Sequence, residues 1–285
     1  MRVGEIVDAA IKLYRAQATN LWKIILLITV PVAVIDELIF ASSLPSGVIA
    51  HNGTLYLTSF GSYSPSFLAV IVPVVLEFLV APALSLGALS KCLLDAYTGR
   101  QTDWRASVAF AWRRLAALIW LSILISLIVI IGLILIVIPG IWLAIGCSVA
   151  VPVLMFEGVA GPGAVRRSLS LVKGRWWATL GALLVAGILV GVVEFVIGLI
   201  FGAIESGLHA DSVTLVIVVR ALIVILSGLI SYPFYAAIVT VIYIDLRVRK
   251  EALDLELLAD SFGGGAPRSE PPTFAPPQSI PPPSG

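Results

Sequence analysis

Six long apolar runs, separated by short polar stretches, set the pattern of this chain. They cover about 21–42, 66–95, 115–138, 141–157, 176–203 and 213–246. A helix needs about 20 apolar residues, each rising about 1.5 Å, to cross ~30 Å of hydrocarbon. Each run predicts a transmembrane helix. The second and sixth exceed the required length and should tilt, kink or project. Pro73 and Pro82 are the candidate kinks in the second run and Pro233 in the sixth. Only Pro139-Gly140 separates the third and fourth runs. That dipeptide predicts a tight antiparallel hairpin, since one unbroken helix over 115–157 would be about 65 Å long.

Shorter stretches alternate on a helical period. Val3, Ile6, Val7, Ala10, Ile11 and Tyr14 fall on one face of residues 3–15, with Glu5, Asp8, Lys12 and Arg15 on the other. Residues 103–114 repeat this with Trp104, Val108 and Trp112 against Arg105 and Arg113, and Asp103 is placed as an N-cap. Residues 164–176 repeat it again with Val165, Leu169, Val172 and Trp176 against Arg166, Arg167 and Lys173. Such segments predict helices lying in the headgroup plane. A surface helix followed by a membrane hairpin thus recurs three times, although basic segments flanking spans acquire this look in general. Residues 248–260 predict a short charged helix. Residues 261–285, rich in proline with a Gly263-Gly264-Gly265 run and no strict PxxP motif, predict a disordered tail. The chain divides into an amphipathic helix over 1–20, a six-helix domain over 21–247, and these two terminal segments.

Composition agrees with the bilayer as solvent. The chain is 59% hydrophobic and 12% charged, about half the roughly 25% charge of a soluble domain. Net charge is +1, which gives the molecule no pull on nucleic acid. The charge is instead sorted. Of the 18 Lys and Arg residues, all but Arg220 precede or open the first run, lie around the connection from the second run to the third, or follow the fourth and sixth. Trp22, Trp104, Trp112, Trp176 and Trp177 mark the same side. The positive-inside rule then predicts a multi-pass protein of a cell membrane, bacterial in character, with both termini cytoplasmic. Residues 1–20 carry five charges and no apolar core, so the first run reads as an uncleaved span. Cys92 and Cys147 both sit in apolar runs and read as small apolar filler.

Ionisable groups inside a span are costly and mark functional candidates. Asp36, Glu37, Glu77, Glu194 and Arg220 are those groups. By helical rise, Asp36 lies about 22 Å beyond Leu21 and Glu194 about 25 Å beyond Trp177. Arg220 reaches the same outer third, and Glu77 lies nearer the midplane. Two readings follow: a polar cavity for an ion, a proton or a headgroup, or a structural Glu194–Arg220 pair. Arg166, Arg167, Lys173 and Arg175 follow Gly161-Pro162-Gly163 and form a candidate contact for anionic lipid. They also serve as ordinary topology determinants. His51 and His209 lie near Glu205 and Asp211 without a compact ligand spacing, so no metal site is expected. Asn52-Gly53-Thr54 matches a glycosylation pattern that matters only in a eukaryotic secretory pathway. No nucleophile elbow and no phosphate loop appears, so neither enzymatic chemistry nor a cofactor is expected.

Residues 3–15 and 151–181 resemble a bacterial membrane-protein family known as the membrane domain of glycerophosphodiester phosphodiesterases. Pro152, Glu157, Arg167, Ser168, Leu171, Gly174 and Trp176 carry the resemblance. It implies an all-α bundle of six spans with three or four amphipathic cytoplasmic helices. The phosphodiesterase activity would need a separate metal-dependent barrel with a His-Arg-Gly-type motif. This chain has about 40 residues after the sixth run and lacks that motif. The expected role is a non-enzymatic membrane module that organises or regulates lipids or unidentified membrane or cytoplasmic proteins. The alternative is a transporter for a small solute or lipid.

Overall fold

The computed structural model describes residues 3–43, 48–51, 54–57, 67–207 and 212–251. The fold is all-α, with six helices long and apolar enough to cross a membrane. The order is α1 (Val3–Ser43), β1 (Val48–His51), β2 (Thr54–Leu57), α2 (Phe67–Val75), a π-helical turn (Leu76–Val80) and α3 (Ala81–Tyr97). Then come α4 (Trp104–Arg113), α5 (Leu115–Leu135), α6 (Val137–Gly146), α7 (Ala150–Glu157), α8 (Pro162–Val172), α9 (Trp176–Gly207) and α10 (Val213–Glu251). α10 packs against α1, α9 and α3. α5 packs on α6, and α8 sits against α5, α6, α7 and α10.

Several boundaries differ from the sequence reading. The amphipathic stretch over 3–20 and the first span are one helix, because Ala16, Gln17 and Ala18 are good helix formers and nothing between them breaks the ladder. Its apolar face packs on the protein itself: Ile6 and Ala10 are buried, and Val3 abuts Gly181 of α9. Gln17 and Asn20 hydrogen-bond with Thr102, tying α1 to the segment before α4. Asp103 caps α4 as expected, its side chain accepting from the Arg105 N–H at 2.9 Å.

The turn between the third and fourth spans is at Ile136, in extended conformation, rather than at Pro139-Gly140. Pro139 and Gly140 sit inside the first turn of α6, where a proline loses no helical hydrogen bond. Gly140 is needed there for contact. A Cβ on it would lie 2.5 Å from the Leu133 nitrogen, and one on Gly132 would lie 2.9 Å from the Gly140 Cα. The fourth span is itself broken at 147–149. The Ala150 N–H turns to the Cys147 carbonyl, and the Gly146 carbonyl accepts instead from Ser168 Oγ at 2.6 Å.

The second span changes register between its two prolines. The Ala81 N–H donates five residues back to Leu76, and Pro82 has no N–H to give. The π turn follows from that missing donor. The sixth helix continues through Pro233 to Glu251 and so absorbs the start of the charged helix expected at 248. The remainder of that helix and the proline-rich tail lie outside the described residues, as does His209. Outside the all-α expectation, β1 and β2 pair as two short antiparallel strands, Val48 with Leu57 and His51 with Thr54.

Burial is uneven. Every residue of α10 from Ala236 to Leu246 is buried, and α3 is buried at Ala83, Leu84, Ala88, Leu89, Leu93 and Leu94. Ile134, Leu135, Ile188, Phe195 and Leu199 are more than half exposed. Exposed apolar rows on helices of this length are what a lipid-facing surface requires.

Candidate functional site

Two polar assemblies occur at opposite ends of the bundle. The first lies at the basic end. Gly158, with φ of +73°, ends α7 just after Glu157. Positive φ carries little cost for glycine, which lets the chain reverse there. α8 then runs back and brings Arg167 to Glu157. Arg167 Nε donates to Glu157 Oε2 at 2.8 Å and Nη2 to Oε1 at 3.2 Å. The same guanidinium reaches Glu251 at the end of α10, with Nη2 at 2.6 Å from Oε2. Tyr243 donates its hydroxyl to Glu157 at 2.9 Å, and Arg247 donates to Glu251 at 2.9 Å. Lys250 closes the ring by donating to the Ser170 and Lys173 carbonyls at 2.5 and 2.6 Å. The Glu251 and Glu157 carboxylates hold the Arg167 guanidinium above its ordinary range. Two carboxylates on one forked cation give a charge-assisted, geometrically specific clamp. Arg114 adds a bond to the Leu154 carbonyl at 2.9 Å and stacks over Phe110.

The residues that carried the family resemblance are therefore the fasteners of this end. Glu157 and Arg167 form the clamp, and Ser168 takes the carbonyl freed by the break in the fourth span. Leu171 is buried, Gly174 has φ of +89°, and Trp176 donates to the Trp142 carbonyl at 3.3 Å. Of the four candidate lipid contacts, Arg167 is committed to the clamp and Arg175 lies 4.0 Å from Asp245. Arg166 and Lys173 remain exposed.

The second assembly is a cavity of about 320 Å³ between α1, the π turn, α9 and α10. Asp36, Glu77 and Glu194 all line it, with Thr29, Ser227 and Tyr232 among the others. Glu77 belongs to the π turn, a feature frequent at functional sites. The shifted register also takes the α-helical donor from the Glu77 carbonyl, since the Ala81 N–H goes to Leu76. Glu194 accepts from Ser231 Oγ at 3.0 Å. Arg220 does not join Glu194: its Nε lies 3.8 Å from Glu37 Oε1 and its guanidinium stacks on Phe40. Helical rise matched the depth of Glu194 and Arg220 but contains no rotation about the axis, and rotation points Arg220 to α1. The five sequence candidates thus split into three that share the cavity and two that pair beside it. The hydroxyls of Thr29, Ser231 and Tyr232 were not foreseen, because a Ser or Thr within an apolar run carries no pattern of its own.

A second cavity of about 320 Å³ opens between Ile11 and Tyr14 of α1, Leu189 and Val193 of α9, and Ile230 and Phe234 of α10. Ser231 lines both cavities. Among the described residues, no group of His, Cys, Asp and Glu is arranged to hold a metal ion. The chain matches no family model, no curated protein and no solved structure.

Proposed function

We propose that this protein is a non-enzymatic multi-pass membrane module that organises or regulates lipids or protein partners at its basic end. That end faces the cytoplasm by the positive-inside rule. The observation that carries the proposal is the clamp joining α7, α8 and α10. It fixes α8, at which Arg166 and Lys173 remain exposed, and Trp112 of α4 and Trp177 of α9 are exposed as well. Exposed cations beside exposed indoles suit an anionic headgroup layer or an acidic partner. The resemblance described above supports the same role. The experiment is native mass spectrometry of the protein released from its own membrane without detergent exchange. A protein at fixed stoichiometry, or retained anionic lipid lost in an Arg166→Gln/Lys173→Gln variant, is the expected result. A protein that emerges bare and binds anionic and zwitterionic bilayers alike would refute it.

The acidic cavity favours a second reading, passage of a solute. Polar groups near the midplane beside an interrupted helix are the usual equipment of a transporter, and Glu77 in its π turn provides both. Flux into vesicles that is lost in a folded Glu77→Gln variant would favour it.

A further inference from the structure

Ser231 stands in the wall of both cavities, and the two linings differ in kind. One is apolar and opens on the lipid-facing surface, where Leu189 is 41% and Ile230 38% exposed. The other carries Asp36, Glu77 and Glu194, with no Lys or Arg among its lining residues. The nearest cation in sequence depth, Arg220, is given to Glu37. Carboxylates at bilayer depth cost several kcal/mol each unless a counter-charge or a proton relieves them. A further atom there has no partner. The Oδ1 atom of Asp36 is buried without a hydrogen bond. Thr29, only 7% exposed, also lines the cavity.

We propose that the two neighbouring cavities together bind one amphiphile, with an organic cation as its head and an alkyl chain as its tail, taken up from the bilayer past Ser231. The head occupies the acidic chamber, and Thr29 and Tyr232 supply a hydroxyl and an aromatic face to it. The tail lies in the apolar groove between α1, α9 and α10. A bare metal ion is the poorer fit, because the three carboxylates do not converge as a ligand set. Each chamber lies in the size range of small-molecule sites, about 300–1,000 Å³. Ser231, bonded to Glu194, stands where head and tail would join. The proposal rests on the membrane reading and is independent of whether the ligand is moved or merely held.

The test uses the full chain in zwitterionic nanodiscs and dodecyltrimethylammonium as the probe. Tetramethylammonium has the same head without the tail, and dodecyl maltoside has the tail without the charge. Saturable binding of the full probe is expected, with either control weaker by at least about tenfold, the loss of one buried contact of about 1.4 kcal/mol. Glu194→Gln keeps an acceptor for Ser231 and removes a charge, so it should weaken the probe at least about tenfold. Leu189→Trp fills the groove and should weaken the probe while leaving the already weak tetramethylammonium unchanged. Intact nanodisc insertion and an unchanged melting profile show that a variant is folded, which separates failure of this proposal from failure of the membrane reading. Dodecyl maltoside binding as tightly as the cation, or both variants binding like the parent, would overturn it.

Discussion

Two Arg–Glu pairs hold opposite ends of this bundle, and they are not equivalent. At the basic end Arg167 meets Glu157 through two nitrogens and Glu251 through a third contact, with a tyrosine and a second arginine completing the shell. At the far end Arg220 is half exposed and stands 3.8 Å from Glu37. The same two side-chain types make a clamp in one place and a loose attraction in the other. The difference lies in the backbone around them. Gly158 and the broken fourth span turn α8 back across α7, so three elements deliver polar atoms to one point. Glu37 and Arg220 come from two long helices that pass each other, and rigid helices side by side offer only what their facing turns happen to carry. An end built from reversals can be fastened by polar contacts, whereas an end built from parallel rods depends on lipid and on apolar contact.

Substitutions can break that comparison. Arg167→Ala takes both guanidinium bonds from the Glu157 carboxylate, which is 15% exposed, and leaves it the Tyr243 hydroxyl and Arg247 at 3.7 Å. Loss of a fully buried partner costs about 3–5 kcal/mol, and partial exposure brings this to about 2–3 kcal/mol. A thermal scan in nanodiscs should show the largest fall of the series for this variant. Gly140→Ala comes next, at about 2 kcal/mol, because the new Cβ meets the Leu133 backbone, which cannot swing aside as a side chain can. It would show that tight packing is not confined to the basic end. Arg220→Gln is the smallest, under about 1 kcal/mol, as expected of a half-exposed pair at that distance. An Arg220→Gln fall as large as that of Arg167→Ala would erase the distinction between the two ends.

The sequence made some of this legible and hid the rest for physical reasons. Span number and the sorting of basic residues were readable because length and charge are local quantities. The N-cap at Asp103 was readable for the same reason. The turn at Ile136 was not, because Pro139-Gly140 reads equally as a hairpin or as the opening of a helix, and only the contact of Gly140 with Leu133 decides. The strand pair was signalled by Asn52-Gly53 between Val48–His51 and Thr54–Leu57, a dipeptide favoured in tight hairpins. The sequence reading took it only as part of a glycosylation pattern. The acidic candidates were legible as residue types, and a shared polar cavity was one of the two readings; the Glu194–Arg220 pairing was not upheld, since depth along an axis is additive over residues, whereas facing depends on how helices rotate against one another. The clamp was not legible: Glu157 and Arg167 entered only as positions of the resemblance and Glu251 not at all, since the three are tied together by the path of the chain and by no spacing rule.

The π turn gives the second span one residue more than an even helix would need. Each residue of an α-helix advances about 100° around the axis, so the stretch beyond the turn is out of phase with the stretch below it. Below it, Ala81, Ala83 and Leu84 keep their places in the core. Above it, the helix surface is dealt out afresh, and Glu77, within the turn, lines the acidic cavity while remaining exposed. Loss of a single residue between Leu76 and Val80 would leave the lower half as it is and turn the upper face of α2 by roughly a quarter of a revolution. The position of a carboxylate within the membrane is here a matter of counting, held by one supernumerary residue and a proline that keeps it from being absorbed.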